Sequence, residues 1–168
     1  MKAIVFIILY FGFLGFIQEP AISEIRDLHE KAVEQEEAAE KLMELVEPYN
    51  VEKPVLMGYR GAGHMLMAKH VGNPFSKMSH FKKGKNILSD AIEEAPENVE
   101  LRFLRFTVQS EAPSFLGYKD NLEEDKTILL NTIQDVKDDE LKKMITGYLL
   151  SSQAISNAEK RKLKNLQE

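Results

Sequence analysis

Residues Ser79 to Gln109 read SHFKKGKNILSDAIEEAPENVELRFLRFTVQ, and they leave the chain one economical way to fold. Phe81, Gly84, Leu88, Ala91, Ile92 and Ala95 recur at three- and four-residue spacing, which lines one face of a helix. Pro96 ends that helix, because the residue before a proline is pushed out of the α region. Asn98 then offers a side-chain oxygen to an orphan backbone N–H of the next helix. That helix turns Leu101, Leu104 and Val108 inward. Two amphipathic helices joined by Ala95-Pro96-Glu97-Asn98 make a helical hairpin, and the rest of the chain is expected to repeat or cover it.

The remaining punctuation agrees. Tryptophan is absent, and no alternating Val/Ile/Thr run bounded by hairpin turns occurs. The expected class is all-α, with about six to seven helices. Ser23 to Glu47 reads as one long helix, because Ile25, Leu28, Ala32, Gln35, Ala39, Leu42 and Val46 alternate at threes and fours. Val55 to Val71 reads as a second. Gly72-Asn73-Pro74-Phe75 breaks the chain before the third, with Phe75 expected to fold back onto the core. Asn121 is placed to cap a fifth helix from Leu122 to about Gln134, and Asp138 starts a sixth that buries Leu141, Met144, Ile145 and Tyr148. Ser156 and Glu159 form a capping box before a short basic helix. The string P-x-N-V-E occurs at Pro48 to Glu52 and again at Pro96 to Glu100, which reads as an internal repeat, with a fainter copy at Asp138 to Leu141.

At the N-terminus, Lys2 precedes an apolar run from Ala3 to Ile17. Fifteen residues suit a signal-peptide core better than a membrane span. Residues 1–18 are therefore expected to be a signal peptide, with an uncleaved anchor at residues 3–17 as the alternative. Residues 19–168 are expected to form a single helical domain. The reading implies export, to a periplasmic space or beyond the cell. The chain has no cysteine, so it carries neither a disulfide nor a lipidated N-terminal Cys. Without Lys2, 21 basic residues face 27 acidic ones, a net charge of −6, which argues against general nucleic-acid binding.

Charge is unevenly laid out. Ser23 to Glu52 holds ten acids. Lys53 to Ser89 holds Lys53, Arg60, Lys69, Lys77, Lys82, Lys83 and Lys85 and no acid at all. Either the acidic helix lies beside the basic pair, or the basic face is kept for an anionic partner such as an acidic peptide or phospholipid head groups.

Motifs for catalysis are missing. His29-Glu30 opens an HExxH zinc motif, but position 33 is Val. No nucleophile elbow, phosphate loop or dinucleotide fingerprint is present, so the chain is expected not to be an enzyme and to need no cofactor. Gly58, Gly61 and Gly63 each cost a helix roughly 1 kcal/mol against alanine, and close helix–helix approach is the expected compensation. His64, Met65 and Met67, with Met57, Met78, His70 and His80 nearby, form the alternative: a soft metal or small-molecule site. Arg102, Arg105 and Gln109 share one helix stripe and could bind a carboxylate or pair with other helices. Phe115 and Tyr118 sit in the loop Ala112 to Asp120, either as a plug for the core or as a recognition patch.

Ala91-Ile92-Glu93-Glu94-Ala95-Pro96-Glu97-Asn98 resembles the close of a tetratricopeptide repeat, with Gly84 and Leu88 at the family's small and large positions. The likeness covers about 25 residues. The spacing between copies here is longer than the family's, and its W-x-x-L-G signature is lacking. The resemblance implies stacked antiparallel hairpins whose first helices, Val55–Val71, Val99–Ser110 and Asp139–Ser151, form a concave face. It also implies a peptide-binding groove bearing Arg60, Arg102, Arg105, Lys142 and Lys143. The function expected on these grounds is an exported scaffold or adaptor that binds a protein or peptide through Arg60, Arg102, Arg105 and Gln109, edged by Phe115 and Tyr118.

Overall fold

The computed structural model describes residues 19–165, so the expected signal segment lies outside the described residues. Within them the chain is helical, with no strand: α1 (Ile22–Lys31), α2 (Glu36–Val46), α3 (Pro54–His70), α4 (Pro74–Glu94), α5 (Val99–Glu111), a short 3₁₀ turn (Ser114–Leu116), α6 (Leu122–Thr132), α7 (Asp139–Ser151) and α8 (Asn157–Asn165). None of these helices is long and apolar enough to cross a membrane.

The expected long first helix is two. Its apolar inward positions hold, for Ile25, Ala32, Ala39, Leu42 and Val46 are all fully buried and Leu28 is buried, but Gln35 is exposed in the turn. Its continuity is not, because the chain turns between Ala32 and Gln35. The cause lies at the far end of α3. The Lys69 ammonium donates to the Val33 carbonyl at 2.9 Å, and the His70 ring nitrogen pairs with the Ala32 carbonyl at 2.8 Å. Two carbonyls freed by the break are thereby satisfied from outside the helix.

The repeated string does two different jobs. Asn98 caps α5 by accepting from the Leu101 N–H at 3.1 Å, and Asp138 caps α7 in the same way through Leu141 at 3.0 Å. Asn50 instead accepts from the Glu52 N–H, and α3 begins four residues later at Pro54. Pro54 forces this, since Lys53 before it is held in a non-helical conformation. Asn73 caps α4 through Phe75 and Ser76, and the Ser156–Glu159 capping box forms as expected. Asn121 departs from expectation: it makes no cap, and its amide donates to the Glu124 carboxylate.

α3 and α4 pack most closely, and their glycines explain it. A Cβ on Gly61 would lie 2.7 Å from the Leu88 amide nitrogen and 2.9 Å from the Gly84 carbonyl. Gly63 gives the same room to Met43 of α2, whose sulfur would stand 2.6 Å away. The contacts pair Gly58 with Leu88, Gly61 with Gly84 and His64 with His80, so the two helices run in opposite senses. Gly147 in α7 faces open space. Gly147→Ala should therefore raise stability by up to about 1 kcal/mol, the helix-propensity difference alone, readable in a thermal melt.

The core has two parts that meet on α5. Leu101 and Leu104 join α1 to α4 and Tyr118, whereas Phe103 and Phe106 join Leu129, Ile133, Ile145, Leu149, Ile155 and Leu163. Phe75 joins neither. It is 87% exposed, because α4 starts ahead of the segment that α3 covers, and residues 72–79 are all exposed.

Candidate functional site

Arg102 and Arg105 turn to their own chain. Arg105 is buried and its Nε donates to Asp125 at 2.6 Å, while Nη2 donates to the other carboxylate oxygen at 2.7 Å. Asp125 is fully buried in the first turn of α6. Arg102 donates to the Pro96 carbonyl, to Glu124 and to Asp125. The intramolecular alternative thus accounts for both arginines. Arg102→Glu would put a third carboxylate beside Glu124 and Asp125, and it should cost on the order of 2 kcal/mol in a denaturation experiment.

The other expected groove residues are scattered. Gln109 is fully buried, and neither of its amide atoms has a hydrogen-bond partner among the described residues. Tyr118 is buried edge-on to Phe81, with the Lys85 ammonium 5.0 Å from its ring centre. Burial pushes its hydroxyl up to about 12. Tyr118 is the plug of its loop. Phe115 is the exposed part, at the 3₁₀ turn that ends on Gly117 with a positive φ of 58°. Arg60 donates to the Glu47 carbonyl at 3.2 Å. Lys142 and Lys143 line an open cleft of about 620 Å³ with Gln134, Asp139, Glu140, Thr146 and Leu163, whose two acids and two lysines favour neither sign of ligand.

The charge blocks also meet within the molecule. Glu47 of α2's end lies 3.7 Å from the Lys83 ammonium, and Glu19 lies 2.7 Å from Lys53. Arg60, Lys69 and Lys85 have the partners described above. Lys77 and Lys82 are exposed, and neither has an ion-pair partner among the described residues. Lys82 follows Phe75 and Met78 at i+7 and i+4, so the three share one stripe of α4. Met78 is 39% exposed. The exposed part of the basic block without an ion-pair partner among the described residues thus includes an aromatic–thioether–lysine stripe at the start of α4, which the other described residues leave exposed. Its signal in the sequence was the acid-free run itself.

The proposed soft-metal set does not converge. Met65 is buried against Gly84, and Met67 packs on the edge of the first core. His64 instead faces His80 of α4, with the two Nδ1 atoms 3.3 Å apart. No group of three or more His, Asp or Glu side chains is gathered as a metal set among the described residues.

His64 is held neutral. Burial lowers its pKa to about 4, and the Lys83, His80 and Arg60 charges add to this while Glu47 opposes it. An unfolded chain takes the proton near pH 6.5 and the folded chain only near 4. This part of the stability is therefore full above pH 6.5 and falls as the pH drops toward 4, by about 1.4 kcal/mol per unit at most. His64→Asn should lessen the slope of unfolding free energy against pH over that window, leaving the part due to His29, which burial also lowers to about 4.

The sequence matches no protein-family model, no curated protein and no solved structure.

Proposed function

We propose that this protein is a non-enzymatic scaffold of helical hairpins that binds a partner protein or peptide of acidic character through α4. One observation carries the reading: the exposed stripe Phe75, Met78 and Lys82, in a stretch that holds no carboxylate. A large aromatic left 87% exposed on one stripe with a lysine that has no ion-pair partner among the described residues is the composition of a recognition patch. The hairpin part rests on chain-adjacent packing of α1 with α2, α3 with α4, α5 with α6 and α7 with α8. The tetratricopeptide-like arrangement is an analogy of form and assigns no partner. In this reading Arg102, Arg105, Gln109 and Tyr118 hold the scaffold together, and Phe115 stays available as a second contact.

Aromatic and lysine side chains also suit an anionic lipid surface. The direction of α3 weighs against it. Glu19 lies at the start of α3, beside Lys53, whereas α4 runs back along α3, so that Phe75 lies level with the end of α3, about 25 Å from its start at 1.5 Å per residue, and Lys82 lies beside its middle. If the expected export segment stays in a membrane, the Phe75 end of the stripe lies at the end of α3 remote from Glu19.

The test compares wild type with Phe75→Ser/Lys82→Glu. Both should melt within about 1 °C of each other, since exposed substitutions away from packing change stability little. Proteins retained from the source cell by the wild type should be lost by the variant. Equal retention by both would end the assignment. Binding of the wild type to anionic vesicles, with no protein retained, would move it to lipid.

A further inference from the structure

We infer that His64 of α3 and His80 of α4 form a chelating pair for a borderline divalent cation such as Zn²⁺ or Cu²⁺, bridging the two helices through both Nδ1 atoms. This goes beyond the partner-binding reading and stands or falls apart from it.

The distance is the first argument. The two Nδ1 atoms are 3.3 Å apart, with ring centres 5.5 Å apart and planes tilted by 44°. Two imidazole nitrogens bound to one tetrahedral ion at about 2.0–2.1 Å stand about 3.3–3.4 Å apart. The observed spacing matches an ion's coordination edge, and without an ion the same spacing is a hydrogen bond between the rings.

Proton placement is the second. With no cation, one Nδ1 must carry a proton to avoid two facing lone pairs. If that ring is His64, its Nε2 is left a buried acceptor with no hydrogen-bond partner among the described residues; if it is His80, His64 accepts at Nδ1 and carries its proton on Nε2, as it would with a cation bound. The Glu47 carboxylate lies 3.8 Å from that Nε2, and Lys83 also acts on the ring. A cation on both Nδ1 atoms moves the proton of each ring to Nε2. The His64 Nε2–H then faces the Glu47 carboxylate at 3.8 Å, which a small approach would turn into the carboxylate–histidine–metal arrangement that fixes ring orientation.

The surroundings set the affinity. Lys83 and Arg60 are the cations of this corner, and both are engaged by Glu47, one through its carboxylate and one through its carbonyl. His80 is half-buried, so water can reach its side and fill the remaining positions. A two-histidine site completed by water is open and of moderate strength. Its effect would be to clamp α3 to α4 directly below the exposed start of α4.

The probes are Zn²⁺, Cu²⁺ and Ni²⁺ as chlorides, with Mg²⁺ as the control, added to the untagged full chain. At metal about tenfold above its Kd, the melting temperature should rise by roughly 3–6 °C, and Mg²⁺ should do nothing. His80→Gln, at a half-exposed position, should lose that shift, while Met67→Leu should keep it. If His80→Gln melts abnormally on its own, long-range ¹H–¹⁵N spectra of the wild type decide the matter: Zn²⁺ should move both Nδ1 resonances and leave His29 and His70 alone. No shift with any of the three ions at millimolar concentration would overturn the inference. So would an equal shift in His80→Gln, or spectral changes confined to other histidines.

Discussion

Arg26→Ala is expected to lower the unfolding free energy by about 3–5 kcal/mol, a fall in melting temperature of roughly 10 °C. Arg26 is 4% exposed on α1 and ties together four helices. Its Nε and Nη2 donate to the two Glu100 oxygens at 2.7 and 2.9 Å, a bidentate pair on α5. Its Nη1 lies 2.9 Å from Asp138 and 3.3 Å from Glu140 at the start of α7. The Tyr59 hydroxyl of α3 donates to Glu100 at 2.7 Å. Burial opposes the charge on Arg26, but the Glu100 carboxylate outweighs it and holds the guanidinium pKa above its ordinary value. Removing the arginine leaves Glu100 buried with one donor instead of three. Most of the cost is that uncompensated charge, not the worth of the pair. The double variant Arg26→Met/Glu100→Met should therefore lose much less than Arg26→Ala alone. Urea denaturation measures both, and equal losses would refute the account.

Gly84→Val should cost about 3 kcal/mol or more, at the upper end for an overpacked core. The new Cβ would meet the Gly61 carbonyl and the backbone nitrogen of Met65, 3.0 Å away. Backbone atoms of a facing helix cannot rotate aside as a side chain can, so α3 and α4 must separate. Leu88, Leu101 and Leu104, fully buried around that crossing, would lose contact with it. Gly147→Ala, in the open, should move the other way. A pair of opposite signs separates helix crossing from helix propensity. Loss at both positions would mean that the crossing is not what the glycines serve.

What could be read from the residues was local. The turn from α4 to α5 follows from Pro96 and Asn98, and α8 follows from Ser156 and Glu159, because each signal acts within a few residues of itself. The glycine-rich helix also declared its need for a close neighbour, though not which one. The break between α1 and α2 could not be read there, since the groups that stabilise it come from Lys69 and His70. The arginines of α5 misled for the same reason. Their spacing describes a polar stripe equally well whether it faces water or a buried carboxylate, and Asp125 resembles any acid in a first helical turn. Arg26 and Glu100 are 74 residues apart. Phe75 looked like a core residue because its exposure depends on where α3 ends. His64 and His80 come together only once α3 and α4 run in opposite senses.

The central claim is that the arginines of α5 hold the molecule together while the exposed end of α4 does the binding. The direct measurement is retention of cell proteins by the full chain, run beside Phe75→Ser/Lys82→Glu and beside Arg102→Glu, with a melting curve for each. The account predicts an unchanged melt and lost binding for the first, and for the second a lowered melt with binding kept at temperatures where it remains folded. An unchanged melt with lost binding for Arg102→Glu, and full binding by the α4 variant, would contradict it.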